Sequence, residues 1–170
     1  LRGDRGQEVA TGLRFGVILG AVLIPIQILA GDMHGLNTLE HQPAKVAAME
    51  GNWETQGNVP LLLFALPDEE TRSNAFEVGI PSLASVILKH DPAGVVPGLN
   101  DFVTAEGEVM HPPVAPVFWS FRVMVGIGML MLVISWAGAW MLWRRGVEGM
   151  PKPYLWGLTG MSFAGWGATL

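Results

Sequence analysis

The stretch QPAKVAAMEGNWE places an ammonium, Lys45, and a carboxylate, Glu50, on one short segment predicted to be helical. Five residues apart on a helix, they project roughly 140° apart and do not form an i,i+4 ion pair. Two uses are open. Both charges can decorate a solvated helix face. Alternatively, the carboxylate takes a proton from a hydroxyl while the ammonium orients or polarises its oxygen. Glu54, one turn beyond Glu50, would extend a proton path, and Trp53 would stack on a ring.

A second pair lies in FWSFRVMVGIG. Arg122 stands some six residues inside a long apolar run, where a charge at membrane depth costs about 2.5–3.5 kcal/mol at mid-helix. Either it snorkels to the surface or it pairs with a buried anion, such as a cofactor carboxylate or phosphate. Met124 follows two residues on; methionine in such a helix ordinarily packs. Gly126 and Gly128 follow it, and Gly128, at i+4, would clear the same face for a flat ligand. A thioether opposite a histidine is a known low-spin haem ligation. The four histidines, His34, His41, His90 and His111, have no zinc-site spacing. With no cysteine in the chain, disulfides, thiolate metal sites and Cys nucleophiles are excluded.

These residues must be positioned by membrane helices. Half of the 170 residues are hydrophobic and only 15% are charged, against about 25% in a soluble domain. A net charge of −5 excludes a nucleic-acid partner. Residues 15–31 hold no charge and carry Pro25 in mid-run; packed membrane helices tolerate such a proline. Residues 117–143 form a second span and the glycine-rich 153–170 a third, complete or truncated. Trp136, Trp140 and Trp143 recur at helical spacing, as in an interfacial belt.

Between the first two spans lies a long loop, 32–116. It holds twelve of the fifteen acids but only Lys45, Arg72 and Lys89 of the ten bases. The short flanks are basic: Arg2, Arg5 and Arg14 in 1–14, and Arg144, Arg145 and Lys152 in 144–152. Positive residues near helix ends stay in the cytoplasm, which puts both flanks inside and the loop outside. Residues 42–54 and 81–89 read as short helices within the loop. PLLLFALP, at 60–67, is apolar but too short to span; it would dip to the membrane surface or cover a site. The expected fold is an all-α integral membrane protein with about three transmembrane helices and a long extracytoplasmic loop. The chain reads as an internal piece of a longer helical bundle.

Two ordered motifs carry a family resemblance across nearly the whole chain. GDMHGLNTLEHQPAKVAAMEGNWET resembles the start of the external quinol-binding loop of cytochrome bd-type quinol oxidase subunit I, and PPVAPVFWSFRVMVGIG resembles the helix that follows it. The resemblance implies that Lys45 and Glu50 act in quinol oxidation, with Trp53 and Glu54 beside them. It implies that Met124 ligates a low-spin haem b iron and that Arg122 supports this haem electrostatically. The loop resembles the short form found in cyanide-insensitive members. The histidine opposite Met124, the ligands of a high-spin haem b and of haem d, and a GRQPW-containing motif would lie outside the chain. Implied partners are ubiquinol or menaquinol, a second oxidase subunit and membrane lipid. The implied location is the bacterial cytoplasmic membrane, multi-pass, with 32–116 periplasmic. A non-redox transporter or assembly subunit, with Arg122 binding an anionic substrate under a loop lid, is the alternative, as is a truncated, inactive family member.

Overall fold

The computed structural model describes residues 6–169; Arg2 and Arg5 of the expected cytoplasmic flank lie outside them. The chain is mostly helical. Two helices, α1 (Gln7–His41) and α4 (Val114–Arg145), are long and apolar enough to cross a membrane. At 1.5 Å per residue they measure about 52 and 48 Å, against a hydrocarbon core of about 30 Å. The apolar stretch of each is almost wholly exposed, whereas the core helix of a soluble protein would be mostly enclosed.

The chain forms two compact units, Leu1–Ala30 with Val123–Leu170, and Gly31–Arg122. In the first, α1 and α4 meet at small residues, as membrane helices do. A Cβ on Gly20 would touch Ser135 Oγ at 3.0 Å. Trp136 Nε1 donates to Ala21 O (3.1 Å) and Tyr154 Oη to Ile134 O (3.0 Å). The expected third span is built as two short helices, α5 (Lys152–Met161) and α6 (Ala164–Thr169), with a turn between them.

The second unit departs from the sequence expectation in two places. First, α1 does not stop near Gly31 but runs on to His41, so His34 and His41 sit on a helix rather than in a loop. Thr38 Oγ1 donates to His34 O (2.9 Å) and His41 Nδ1 meets Asn37 O (3.0 Å), which keeps both polar groups on the helix surface. Proline ends it: Gln42, before Pro43, takes φ −138° and ψ 60°, because the pyrrolidine ring disfavours helical geometry in the residue before it. Pro43 then opens α2 (Pro43–Glu50), the position in a helix where proline is preferred.

Second, the fold is not all-α. PLLLFALP supplies an antiparallel strand, β1 (Leu61–Asp68), paired with β2 (Ser73–Ile80). Register breaks between Leu62 and Phe64 and between Phe64 and Leu66 make the buried positions Leu62 and Ala65, three apart instead of two. Phe76, at φ 54°, lies opposite this irregular stretch. A bulge of this kind erases the alternation by which a strand is read. At the hairpin tip Asp68 Oδ1 accepts from Glu70 N (2.9 Å) and Thr71 N (3.3 Å), an Asx-type turn.

The hairpin straps onto the first turns of α4. It is tied there at Val114, Phe118 and Arg122, each four residues after the last: Val114 by its backbone N–H, the other two by their side chains. Glu69 Oε1 accepts from Val114 N (2.8 Å). Phe118 is fully buried with Leu62 and Ala65. Arg122 Nε donates to Leu62 O (2.8 Å). The Glu69 carboxylate thus satisfies one of the unpaired N–H groups at the helix start and complements its dipole. Glu69→Ala should cost about 0.5–2 kcal/mol, the range for loss of a capping side chain. Faster hydrogen exchange at the Val114 amide checks this; unchanged protection would remove Glu69 as a cap. The rest of the unit holds α3 (Leu83–Lys89), as expected near 81–89, and a 3-10 turn at Leu99–Phe102.

Candidate functional site

Helix α2 ends on Glu50. Gly51 follows at φ 66° and ψ 30°, a left-handed cap that glycine adopts without a Cβ penalty. The cap turns the chain sharply and leaves Glu50 only 6% exposed. A buried carboxylate needs partners, and Arg122 provides them. Its Nη2 lies 3.3 Å from Glu50 Oε2, and the Arg122 side chain is itself only 10% exposed. Nη1 donates to Met49 O at the C-terminus of α2, and Nε to Leu62 O. The guanidinium also lies 4.0 Å over the Phe118 ring, a cation–π contact. One side chain therefore ties α4 to a carboxylate, a helix end and a strand.

Arg122 thus faces a buried anion, and in this structure that anion is Glu50. Burial pushes the Glu50 carboxyl above its ordinary value; the Arg122 charge and hydrogen bond pull it back without cancelling the rise. Oε2 is held, and Oε1 has no hydrogen-bond partner among the described residues.

Glu50, Trp53 and Glu54 line one cavity of about 310 Å³, together with Arg72, Asn74 and Glu77. The segment after the cap is held in place by an antiparallel partner. Leu99 N donates to Asn52 O, Asn100 N to Trp53 O, and Gln56 pairs with Val96. Asn52 Nδ2 donates to Pro97 O (3.0 Å), and Asn100 Nδ2 to Glu54 Oε1 (2.6 Å). The approach at Gly98 is close: a Cβ there would stand 2.5 Å from Trp53 O.

Lys45 is not in this cavity. It is exposed and lines a second, more apolar cavity of about 470 Å³ with His41, Phe102, Met110, Pro112 and Val117. The structure thus gathers three of the four expected quinol-site residues and sets the fourth apart. The roughly 140° helical offset between Lys45 and Glu50 is the cause.

Asn74 has no counterpart in the sequence reading. Its Oδ1 accepts from Trp53 Nε1 (2.9 Å), and its Nδ2 donates to Gly51 O (2.8 Å) and Glu77 Oε1 (2.8 Å). It stitches β2 to the turn after Glu50. Glu69 and Glu77 were likewise unsignalled: one sequence offers no periodicity or spacing that marks a loop residue for contact with a distant one.

Met124 belongs to the other compact unit. It is 44% exposed, and Cβ atoms on Gly126 and Gly128 would meet nothing within 4 Å. The accessible Met124 thioether, with open space at Gly128 one turn on, fits a haem held through sulfur. His90 caps α3, and His111 Nδ1 lies 3.0 Å from Pro112 O. Among the described residues no group of three or more His, Cys, Asp or Glu is arranged to hold a metal ion.

Comparison with known proteins shows the family of the chain. Over 127 residues, 71% of this chain, it is 34% identical to cytochrome bd ubiquinol oxidase subunit 1 of Bacillus subtilis (strain 168), covering 27% of that protein. It is 27% identical to cytochrome bd-II ubiquinol oxidase subunit 1 of Escherichia coli (strain K12), covering 76% of this chain and 38% of that one. The structure of bd oxidase from Geobacillus thermodenitrificans superposes with a TM-score of 0.65 at 29% identity, over 87% of this chain and 32% of that chain. The chain therefore spans well under half the length of these relatives. The sequence pattern of cytochrome bd terminal oxidase subunit I matches residues 1–170, and the chain belongs to that family.

Proposed function

We propose that this chain is the electron-entry part of subunit I of a terminal oxidase, where quinol gives up its protons and electrons at the outer face of the bacterial cytoplasmic membrane. The observation that carries the reading is the buried Glu50 carboxylate, with one oxygen held by Arg122 and the other open to a cavity. A carboxyl raised by burial is a stronger base than an ordinary carboxylate, suited to accept a proton and pass it on. Arg122 fixes its orientation and offsets its charge once the proton has left. Trp53, anchored by Asn74, offers a ring face to the quinol, and Glu54 stands at the rim. Lys45 acts from the neighbouring apolar cavity, where its ammonium would orient a ring oxygen during approach.

Met124 would hold a low-spin haem b through its thioether. When bound, that haem would supply a one-electron acceptor for the electrons of the quinol. Arg122, two residues earlier on α4, adds positive charge near it. A high-spin haem b and haem d, and a second oxidase subunit, complete the reading in the intact enzyme. In topology, 1–14 and 144–152 are cytoplasmic, 15–31 and 117–143 span, 153–170 contribute a third span, and 32–116 form the periplasmic loop.

Met124→Leu in the intact oxidase tests the haem assignment. The reduced-minus-oxidised spectrum should lose or shift its low-spin haem b band, because leucine offers the iron no lone pair. An unchanged band would remove Met124 as ligand.

A further inference from the structure

We infer that the 310 Å³ cavity is the proton exit from Glu50, and that Glu77 on β2 is its outlet, positioned by Asn74. This rests on the reading of Glu50 as the base that deprotonates quinol.

The cavity has a closed polar end and an exposed one. At the closed end Glu50 is 94% buried, from its 6% exposure, and its Oε1 has no protein partner among the described residues. Oε1 nevertheless keeps solvent access, since Asn100 Oδ1 is the only fully buried side-chain polar atom without a partner among the described residues, and water in the cavity is the ready means of satisfying it. The volume holds several molecules, since a water occupies about 30 Å³ of liquid. The exposed end carries Glu77, Glu54 and Arg72.

Two carboxylates are therefore candidate outlets, and their hydrogen bonding separates them. Glu54 Oε1 is bonded to Asn100 Nδ2, on the segment that fixes Trp53. Glu77 Oε1 is bonded to Asn74 Nδ2, the amide that also bonds Gly51 O, the carbonyl next to Glu50. Asn74 thus ties the Glu77 carboxylate directly to the turn that carries Glu50. The charged groups around the path are Glu50, Glu54, Glu77 and Arg72 in the cavity, with Arg122 behind Glu50.

The step moves a proton only. The O–H bond on Glu50 breaks, a water chain carries the proton, and an O–H bond forms on Glu77. Glu77 then releases the proton to solvent. Glu50 is left as the carboxylate paired with Arg122, ready for the next proton. The net charge of the site is unchanged between Glu50 giving up its proton and Glu77 holding it.

Glu77→Gln in the intact oxidase is the test, because glutamine keeps an oxygen for Asn74 to bond and removes only the titratable group. Quinol turnover should fall about tenfold at unchanged KM, less than the loss of roughly a hundredfold or more for a general base itself. It should recover as the concentration of a small buffer base, such as acetate, is raised, since the added carboxylate accepts the proton in place of Glu77. Glu50→Gln is measured alongside. If Glu50→Gln is impaired and Glu77→Gln turns over as wild type, the exit is wrong and the base stands. If Glu77→Gln is slow but indifferent to buffer, its role is structural and the relay is wrong. If Glu50→Gln is as fast as wild type, both fall.

Discussion

Arg122→Met should destabilise the Gly31–Arg122 unit by about 3–5 kcal/mol, the cost of removing one partner from a buried ion pair. The cost arises less from the lost contact than from what remains. Glu50 would stay enclosed with no countercharge, and Met49 O and Leu62 O would lose their donor. The effect should depend on pH with a definite sign. In the wild type, burial already raises the Glu50 carboxyl, and both opposing influences come from Arg122. Without them the folded-state value rises further above that of the unfolded chain. A raised carboxyl favours folding below the unfolded value and loses that contribution as pH rises through the folded one. The deficit of the variant should therefore widen as pH climbs above the ordinary carboxyl range and shrink in acid. Adding Glu50→Gln should recover part of it, because no buried charge is then left alone. Thermal unfolding of the detergent-solubilised oxidase at two pH values checks all three statements. A loss under 1 kcal/mol with no pH dependence would mean that the pair is not buried as described.

Glu50→Gln should leave the oxidase folded and haem-loaded while slowing quinol oxidation by about a hundredfold or more, the usual contribution of a general base. Glutamine presents an oxygen to Arg122 Nη2 in place of Oε2. The guanidinium keeps its two backbone carbonyls and the Phe118 ring. The defect should therefore sit in kcat rather than in haem content or stability. Steady-state turnover with a soluble quinol, beside a haem spectrum of the same preparation, separates the two. Wild-type turnover would place the proton acceptor elsewhere.

Much of the helical frame was legible because its signal is local. A charge-free run and an arginine-rich flank are read without knowing what they touch, and α4 is found where 117–143 pointed. The hairpin was hidden because its bulges space the buried Leu62 and Ala65 three apart, which matches neither a regular strand nor a membrane span. The extension of α1 was hidden because Asp32–His41 is polar and reads as loop; only the proline after it marks the end. In the site, the residues came from the family resemblance and their relations from the fold. Glu50 and Arg122 were each singled out, but for different jobs, since 72 positions separate them. Asn74 has neither charge nor spacing to announce it, and its significance is entirely in its three hydrogen bonds.

The i+4 face of α4 that carries Val114, Phe118 and Arg122 also acts as a ruler. The eight residues from Val114 to Arg122 span about 12 Å, and both ends are tied to the same hairpin, through Glu69 and through the Leu62 carbonyl. Inserting or deleting one residue within that interval would swing Arg122 by about 100° around the helix and carry it off Glu50. The turn around Gly107, by contrast, bears no such constraint, since its hydrogen bonds close on Thr104 and Glu108. Length variation in this loop is therefore confined by geometry: it can accumulate before the helix begins, but not in the first two turns after it.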